Sequence, residues 1–518
     1  MIKLIIFVFT VGGLLWPPTV FSFTADSNGL MPPLSSVVTP LDSTSAIPDE
    51  PRLFGLNNMR KNGLSQSTTL IDTAKIRPFS ALGFDGMPNR VGIDIAGTGG
   101  GFYRVQEPES SMSGGFHAKG FQQNGNWLLY GSMDVGQQKD ATMKWVAQSP
   151  TILNQPYQWA DSSSADWTRR RIGLQGALLT PHLWDRNLRA GVQVHHFVEQ
   201  GSTRQDPRPL YRHTRYGVRA GLTSYSDSRG TINGYLGFST GNEESEIGFY
   251  SRTNPRVFYF RGLATMSVAN VVRATRTWQE NMFDIGFEWQ KDRFLLNFEA
   301  RYRDQENHDG TANPVFAGGY NVTELHARVS VPITTKLQLR FISGFYYGEG
   351  TDPLFNQVNI NATGLQNTLN IGRSFNWSAI NYVELHVGHD YINHEDIVGF
   401  ASYEIQHLRY GIRTFTALHK VSGHPSLKLE VVALEKLDGT YIRERPNLLT
   451  NRITDPQVQY LMASQIQFAI EIGYSLKIGA LPIRLIGGGN HVIATRYAKN
   501  EESGRSRTML QAKMMITF

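Results

Sequence analysis

The clearest pattern in the chain is a strict alternation of apolar and polar residues from Phe283 to Arg303. A period of two residues predicts extended strands with one apolar and one polar face. Two such runs meet at Lys291-Asp292. A two-residue turn there would place Trp289 opposite Phe294, with both apolar sets on one side of the ribbon. Because Lys-Asp is an unfavourable pair for a tight hairpin, a looser turn remains open.

The same alternation recurs from Val91 to the end of the chain. Each strand is predicted to span about ten residues, the length of a tilted membrane strand and more than is usual in soluble sheets. Short turns alternate with long polar loops along the sequence. This asymmetry is typical of outer-membrane barrels, whereas a soluble sandwich has no reason to alternate in this way.

We therefore predict an all-β protein, a transmembrane antiparallel up-and-down β-barrel of about 18 strands (16–18) with short periplasmic turns and long extracellular loops. An even number of strands places both ends of the barrel in the periplasm. The pattern breaks over 250–279, where an extra strand pair could be hidden. The predicted domains are a signal peptide at 1–22, a periplasmic N-terminal arm or small plug at 23–90, and the barrel at 91–518.

Composition narrows the class of protein further. Apolar residues make up 40%, the mean hydropathy is −0.30, and no internal run approaches the roughly 18 apolar residues of a spanning helix. The N-terminal apolar run, followed by Pro17-Pro18, predicts a secretory signal cut after Ser22. The absence of cysteine excludes disulfides and a lipid-modified cysteine. The net charge of +6 comes mostly from arginines spread singly, so nucleic-acid binding is not expected.

The last strand carries its own signal. Leu510, Ala512, Met514 and Ile516 alternate with polar residues, and the chain stops on Phe518. A terminal aromatic on an alternating strand resembles the signal read by the barrel-assembly machinery. That machinery and outer-membrane lipid are therefore the expected partners.

Three short motifs carry a family resemblance. They are the aromatic-rich loop ending near Trp167, the basic strand Arg169–Leu179 and the turn Gln205-Asp206-Pro207-Arg208. With the terminal strand, they make the chain similar to an uncharacterised family of Bacteroidota outer-membrane β-barrel proteins over most of 91–518. The resemblance implies the outer membrane and the barrel fold, and it supplies no catalytic or ligand residues.

Arginines recur on the predicted lumen face of the strands. Rings of arginine in a barrel favour anions and bind phosphate or carboxylate groups. The alternative is that they form ion pairs with Glu288, Glu299, Glu384, Glu404 and Glu430 and fill the interior. The candidate anion-binding residues are Arg171, Arg189, Arg219, Arg301, Arg303, Arg328, Arg340, Arg409 and Arg413.

One histidine-rich strand end raises the question of a metal. His386, Asp390 and His394 could bind a transition metal, but their spacing matches no compact site and a solvated strand end explains them as well. No catalytic residues, no resident metal and no cofactor are predicted. A GxSxG nucleophile elbow is absent, and His213 and His491 have no recognisable nucleophile partner in the sequence.

These observations favour a solute channel, or an accessory barrel of a nutrient-uptake system, with an arginine-rich lumen. Small anionic solutes or another uptake protein are then the expected partners. The alternative is a filled structural or partner-binding barrel that acts through its extracellular loops. An outer-membrane hydrolase is the least supported function, and we predict that the protein is not an enzyme.

Overall fold

A computed structural model describes ten stretches of the chain. The described residues are 89–149, 155–183, 187–226, 228–250, 256–310, 312–375, 381–417, 425–479, 481–496 and 506–517. The predicted signal peptide, nearly all of the predicted N-terminal arm and Phe518 lie outside them.

The barrel wall is made of 18 antiparallel strands. They are β1 (Arg90–Gly100), β2 (Ser110–Asn124), β3 (Trp127–Lys144), β5 (Ser164–Leu179), β6 (Leu188–Ser202), β7 (Leu210–Ser226), β8 (Gly230–Gly248), β11 (Arg273–Lys291), β12 (Phe294–Asp309), β13 (Val315–Pro332), β14 (Leu337–Asp352), β15 (Gln357–Ser374), β16 (Tyr382–Asp396), β17 (Ala401–Ala417), β18 (Ser426–Arg443), β19 (Ser464–Ile478), β20 (Leu481–Arg496) and β21 (Ser506–Thr517).

Three short strands form a second sheet that is not part of the barrel wall, in the order β10-β9-β4. They are β4 (Trp159–Ala160), β9 (Val257–Phe260) and β10 (Met266–Ala269). A π-helical turn at Thr450–Thr454 leads into the short helix α1 (Asp455–Leu461).

The ring closes between its first and last strands. Gly92 on β1 lies opposite His117 on β2 and opposite Met515 on β21, so β1 has a hydrogen-bonded neighbour on each side. The predicted closed barrel and its strand number are confirmed. With 18 strands, the start of β1 and the end of β21 lie at the same end of the barrel, the end with the short turns.

The two faces of the wall reverse the arrangement of a soluble protein. Outward apolar side chains are exposed, for example Ile285 at 51% and Ile472 at 56%, whereas the inward Asp284 and Arg301 are only 5% and 3% exposed. In a bilayer the outward side chains contact hydrocarbon and form an apolar belt around the barrel. The protein is built as an outer-membrane barrel. The helices that the structure describes are too short or too polar to cross a bilayer.

The strands are longer than the predicted ten residues. Most have 15 to 19 residues, as in β6 and β11, and β1 has 11. They continue beyond the apolar belt, where outward residues such as Glu244 and Glu246 on β8 are polar and the alternation is lost. The loops predicted at 136–166 and 241–272 therefore begin inside β3 and β8.

The hairpin between β11 and β12 has the predicted faces but a different register. Trp289 lies opposite Leu296, and Lys291 lies opposite Phe294. The turn residues are thus Asp292 and Arg293, one position later than predicted. Asp292 has φ +52°, a conformation that aspartate tolerates better than most residues.

The region 250–279, where an extra strand pair could be hidden according to the sequence, does contain such a pair. The two strands are not part of the barrel wall. β9 and β10 pair with each other, and β9 also pairs with β4 from another loop. The end of the region belongs to β11, which starts at Arg273.

Candidate functional site in the barrel interior

Three extracellular loops fold into the mouth of the barrel. Their described residues are 145–149 and 155–163, 249–250 and 256–272, and 444–463, and we refer to these residues together as the loop lid. Their apolar side chains pack on one another in a cluster in which each is at most 8% exposed. The cluster consists of Trp145, Ala160, Phe258, Phe260, Leu449 and Ile453. The lid is thus a small hydrophobic core, held by three segments far apart in sequence.

The first loop of the lid is anchored to strands β6 and β8. The Ser149 backbone N–H donates to Glu243 Oε1 at 3.0 Å, and the Ser149 hydroxyl donates to Glu199 Oε1 at 3.2 Å. Ten residues on, Trp159 Nε1 donates to the Ser245 hydroxyl at 3.2 Å. Because these wall residues point into the lumen, the loop must lie inside the ring.

Tyr157 connects the same loop to the other side of the mouth. Its hydroxyl donates to Asn359, the third residue of β15. Its carbonyl accepts from Arg276 Nη1 at 3.3 Å. Burial, with the carboxylates of Asp352 and Asp396 nearby, raises the pKa of the Tyr157 phenol. The phenol therefore stays protonated and acts as the donor.

The second loop of the lid is anchored to β14 and β16. Arg261 Nη1 donates to both carboxylate oxygens of Asp352, each at 3.0 Å. The Ala264 N–H donates to Asp396 Oδ2 at 2.9 Å. The third loop bonds to the second, because Asn447 Nδ2 donates to the Ala264 carbonyl at 2.6 Å.

The lid thus contacts walls that face each other. Strands β6 and β16, which carry Glu199 and Asp396, are the fifth and thirteenth of 18 around the ring. The loop before β2 joins the lid as well, because Gln106 Nε2 donates to the Trp145 carbonyl at 2.9 Å and Phe102 stacks on Tyr460 at 4.5 Å. Side chains and backbone therefore bridge the extracellular mouth.

Below the lid, the predicted arginine ladder lies on the inner face, but most of its members form ion pairs. Arg219 contacts Asp284 at 2.6 Å, and Arg340 contacts Glu384 at 3.5 Å. The other ion pairs of ladder arginines are Arg301 with Glu299 and Glu324 (2.6 and 3.0 Å), Arg303 with Glu324 (3.1 Å), Arg413 with Glu430 and Glu384 (2.5 and 3.0 Å), and Arg409 with Asp390.

Arg171 and Arg189 differ from these residues. Neither has an ion-pair partner within the part of the chain that the structure describes, and Arg189 Nη1 is buried without a hydrogen-bond partner there. Arg328 is 2% exposed on the same inner face. The ladder arginines without an ion-pair partner among the described residues thus include Arg171 and Arg189.

The predicted carboxylate partners are found in part. Glu299, Glu384 and Glu430 pair with ladder arginines, and Glu288 accepts a hydrogen bond from Asn233 Nδ2 at 3.0 Å. Glu404 was wrongly assigned to the lumen, because it lies opposite Asn393 on the outward face of β17. Glu280, Asp284, Glu324 and Asp390 also pair with inward arginines, and these pairings could not be predicted because they depend on the register between strands.

The candidate metal ligands are on one face of β16 but do not form a cluster. Asp390 pairs with Arg409, and His394 Nδ1 lies 3.2 Å from the Tyr403 hydroxyl. His386 packs against Gly411 on β17. Among the described residues there is no group of three or more side chains that could hold a metal ion.

Structural comparison finds similar solved structures among outer-membrane receptors and transporters. The ferric preacinetobactin receptor BauA of Acinetobacter baumannii is 9% identical, with 83% of this chain and 80% of that chain covered and a TM-score of 0.36. The outer membrane transporter YddB of Escherichia coli is 8% identical, covers 83% and 81%, and has a TM-score of 0.42. P. aeruginosa FpvA, in complex with a pyoverdine and iron, is 9% identical, covers 83% and 71%, and also scores 0.42. Likeness at this level assigns no function.

The model of a family described only as of unknown function, DUF6850, matches residues 81–518. No curated protein is detectably similar in sequence.

Proposed function

We propose that this chain, which belongs to the family of unknown function DUF6850, is a gated solute-uptake barrel of the outer membrane. In this proposal the loop lid closes the extracellular mouth, and displacement of the lid admits a solute to the polar lumen. Membership of an uncharacterised family agrees with the resemblance in the sequence, whereas an origin in Bacteroidota stays a prediction.

The position of the loop lid is the observation that carries the proposal. A ring of 18 strands is in the size class whose lumen holds an aqueous channel. The lid crosses the mouth of such a ring and is held by side-chain contacts, such as Arg261 to Asp352, rather than by covalent links. Contacts of this kind can be exchanged for contacts with a ligand, so the lid is suited to be a gate.

The solute class follows from the inner wall. Ion pairs neutralise much of the arginine ladder, for example Arg301 between Glu299 and Glu324. Arg171 and Arg189 lie on the same inner face without such partners in the described part of the chain. We expect small polar solutes to pass, with a modest preference for anions.

A second function is favoured by the same ion pairs. A wall whose arginines and carboxylates neutralise one another, under a mouth crossed by packed loops, also suits a barrel that conducts nothing and presents its loops to a partner. The two functions differ in whether loosening the lid produces transport.

Solute influx into proteoliposomes separates them. The double variant Arg261→Gln/Asp352→Asn removes one lid-to-wall ion pair without leaving a lone charge. The matched control, Arg273→Gln/Glu246→Gln, removes an exposed ion pair on the outer rim, where the Arg273 side chain is 70% exposed. We expect faster influx of small anions only in the lid variant. Equal and negligible influx in all three proteins would support the structural alternative.

A further inference from the structure

The outward face of the barrel carries a row of cations above the apolar belt. Arg170 on β5 lies opposite Gln200 on β6, and Gln200 lies opposite Arg212 on β7. Arg170 also lies opposite Gln137 on β3, and Lys139 is the next outward residue of that strand. All five side chains are exposed. We refer to Lys139, Arg170 and Arg212 as the basic row.

The three members of the basic row are not held in ion pairs among the described residues, although Arg212 lies opposite the acidic Glu244 on β8. From β8 onward around the ring, the outward residues above the belt are often acidic, and the exposed Arg273 is paired with Glu246 at 2.8 Å. The acidic outward residues include Glu244 and Glu246 on β8, Glu306 on β12, Glu395 on β16 and Glu404 on β17. Positive charge is thus concentrated on the sector from β3 to β7.

An apolar groove lies on the outward face of the same sector. It has a volume of about 1040 Å³ and runs across β1 to β8. Small outward residues, Gly131 and Gly176 among them, form its floor, and Met133, Leu174, Val194 and Tyr216 also line it. Leu174 is four residues from Arg170, and Tyr216 is four residues from Arg212. Four residues of a strand span about 13 Å, so these groove residues lie about 13 Å below the basic row, within the length of an acyl chain.

We propose that the basic row and the groove together bind one phosphorylated lipid of the extracellular leaflet. Its phosphate contacts Arg170 and Arg212, and an acyl chain occupies the groove. Cations at the level of the headgroups attract anionic lipids, and a guanidinium binds phosphate through two parallel hydrogen bonds. The two arginines are two strands apart, or roughly 10 Å, which suits a headgroup with one or two phosphates.

A lipid would occupy both the basic row and the groove, whereas each of the other occupants accounts for one of them at most. A free anion would use the basic row and leave the groove without a role. A second copy of the chain would have to cover a groove that is continuous with the belt, where hydrocarbon is already the neighbour. The proposal does not depend on whether the barrel conducts.

Native mass spectrometry of the barrel released from nanodiscs tests the proposal. The probes are phosphatidylglycerol, which is anionic, and phosphatidylcholine, which has no net charge. We expect the wild type to retain phosphatidylglycerol preferentially and Arg170→Gln/Arg212→Gln to lose about 10- to 30-fold of that preference. The control Arg273→Gln, an exposed cation at the same end of the barrel, should keep it.

A second variant tests the groove. Gly131→Leu/Gly176→Leu fills the floor, and a Cβ at Gly176 meets only Val194 Cγ2 at 3.6 Å, so the backbone accepts it. We expect this variant to retain less of both lipids. Unchanged lipid retention in either double variant would overturn the proposal. So would displacement of the lipid by inorganic phosphate, which indicates a free-anion site, or a dimer that the groove variant abolishes.

Discussion

Arg261 in the loop lid donates from a single nitrogen to both carboxylate oxygens of Asp352 on β14, at 3.0 Å each. The Asp352 side chain is fully buried, and that of Arg261 is 13% exposed. A charge-assisted pair of this kind is stronger than a neutral hydrogen bond. It is therefore a main link between the lid and the wall.

Removing only the cation of this pair should loosen the lid more than removing both charges. Arg261→Gln leaves Asp352 buried without its counter-ion, which typically costs about 3–5 kcal/mol. Hydrogen exchange of the amides in 256–269 measures the result. We expect the largest increase in exchange rate in Arg261→Gln and a smaller one in Arg261→Gln/Asp352→Asn. Equal exchange in the wild type and the single variant would contradict the assigned role.

Arg171 and Arg189 should determine the charge preference of solute passage. Because neither has an ion-pair partner in the described part of the chain, their loss removes positive charge without breaking an ion pair. In the lid-loosened background, Arg171→Gln/Arg189→Gln should reduce the anion-to-cation permeability ratio. Reversal potentials in a salt gradient measure that ratio, and an unchanged ratio would remove both residues from the site.

Arg301 is the matched comparison for Arg171, because it lies on the same inner face but has ion-pair partners. Its guanidinium lies between Glu299 and Glu324, at 2.6 and 3.0 Å. Arg301→Gln leaves the buried Glu299 without its ion pair and leaves Glu324 with Arg303 as its remaining ion-pair partner. We expect this variant to destabilise the barrel by roughly 3–5 kcal/mol. The denaturation midpoint in detergent should fall for this variant and stay unchanged for Arg171→Gln. A reversed order would show that the ion pairs do not stabilise the wall.

Glu107 should make the loop 101–109 sensitive to acid. Burial favours a higher pKa, but the Arg104 and Arg507 guanidiniums hold the pKa of Glu107 below its ordinary value. A lowered pKa means that the contact stabilises the loop at neutral pH and is lost as the pH falls below about 4.5 through the lowered pKa. The anisotropy of a dye on a cysteine introduced at Ser110, the residue that directly follows the loop, should therefore fall in acid. Glu107→Gln should show no such transition.

Trp159 should be required for the lid and not for the wall. Its side chain is fully buried and bonds to Ser245, which also donates to the Arg276 carbonyl. Trp159→Ala removes a large buried side chain, at a typical cost of about 3–5 kcal/mol. We expect faster proteolysis within the lid, with the barrel still folded by its heat-dependent migration on gels. Loss of the folded barrel would show that the lid is part of its stability.

The wall could be predicted from the sequence because its pattern is local. Outward Phe283 and Ile285 alternate with inward Asp284 and Gly286, and this alternation requires no knowledge of distant residues. The inward position of the arginine ladder follows from the same rule. The register between neighbouring strands is not set by this local pattern, which is why the hairpin was predicted two residues out of register. Glu404 was assigned to the wrong face because the polarity of the two faces is reversed near the start of β17, where the inward Tyr403 and Ile405 are apolar.

The lid could not be predicted, because its contacts join residues far apart in sequence. Ser149 and Glu243 are 94 positions apart, and Asn447 and Ala264 are 183 apart. Loops show no periodicity that marks them as packed, and polar residues such as Ser149 also occur in solvated loops. The clustering of Arg170 and Arg212 was hidden for the same reason, since it depends on strand order.

Single-channel conductance in planar bilayers tests the central claim, that the loop lid closes the barrel, most directly. The proteins compared are the wild type, Arg261→Gln/Asp352→Asn and the rim control Arg273→Gln/Glu246→Gln. We predict rare, brief openings in the wild type and the control, and long openings of larger conductance in the lid variant. Steady open-channel current in the wild type, equal to that of the lid variant, would contradict the account.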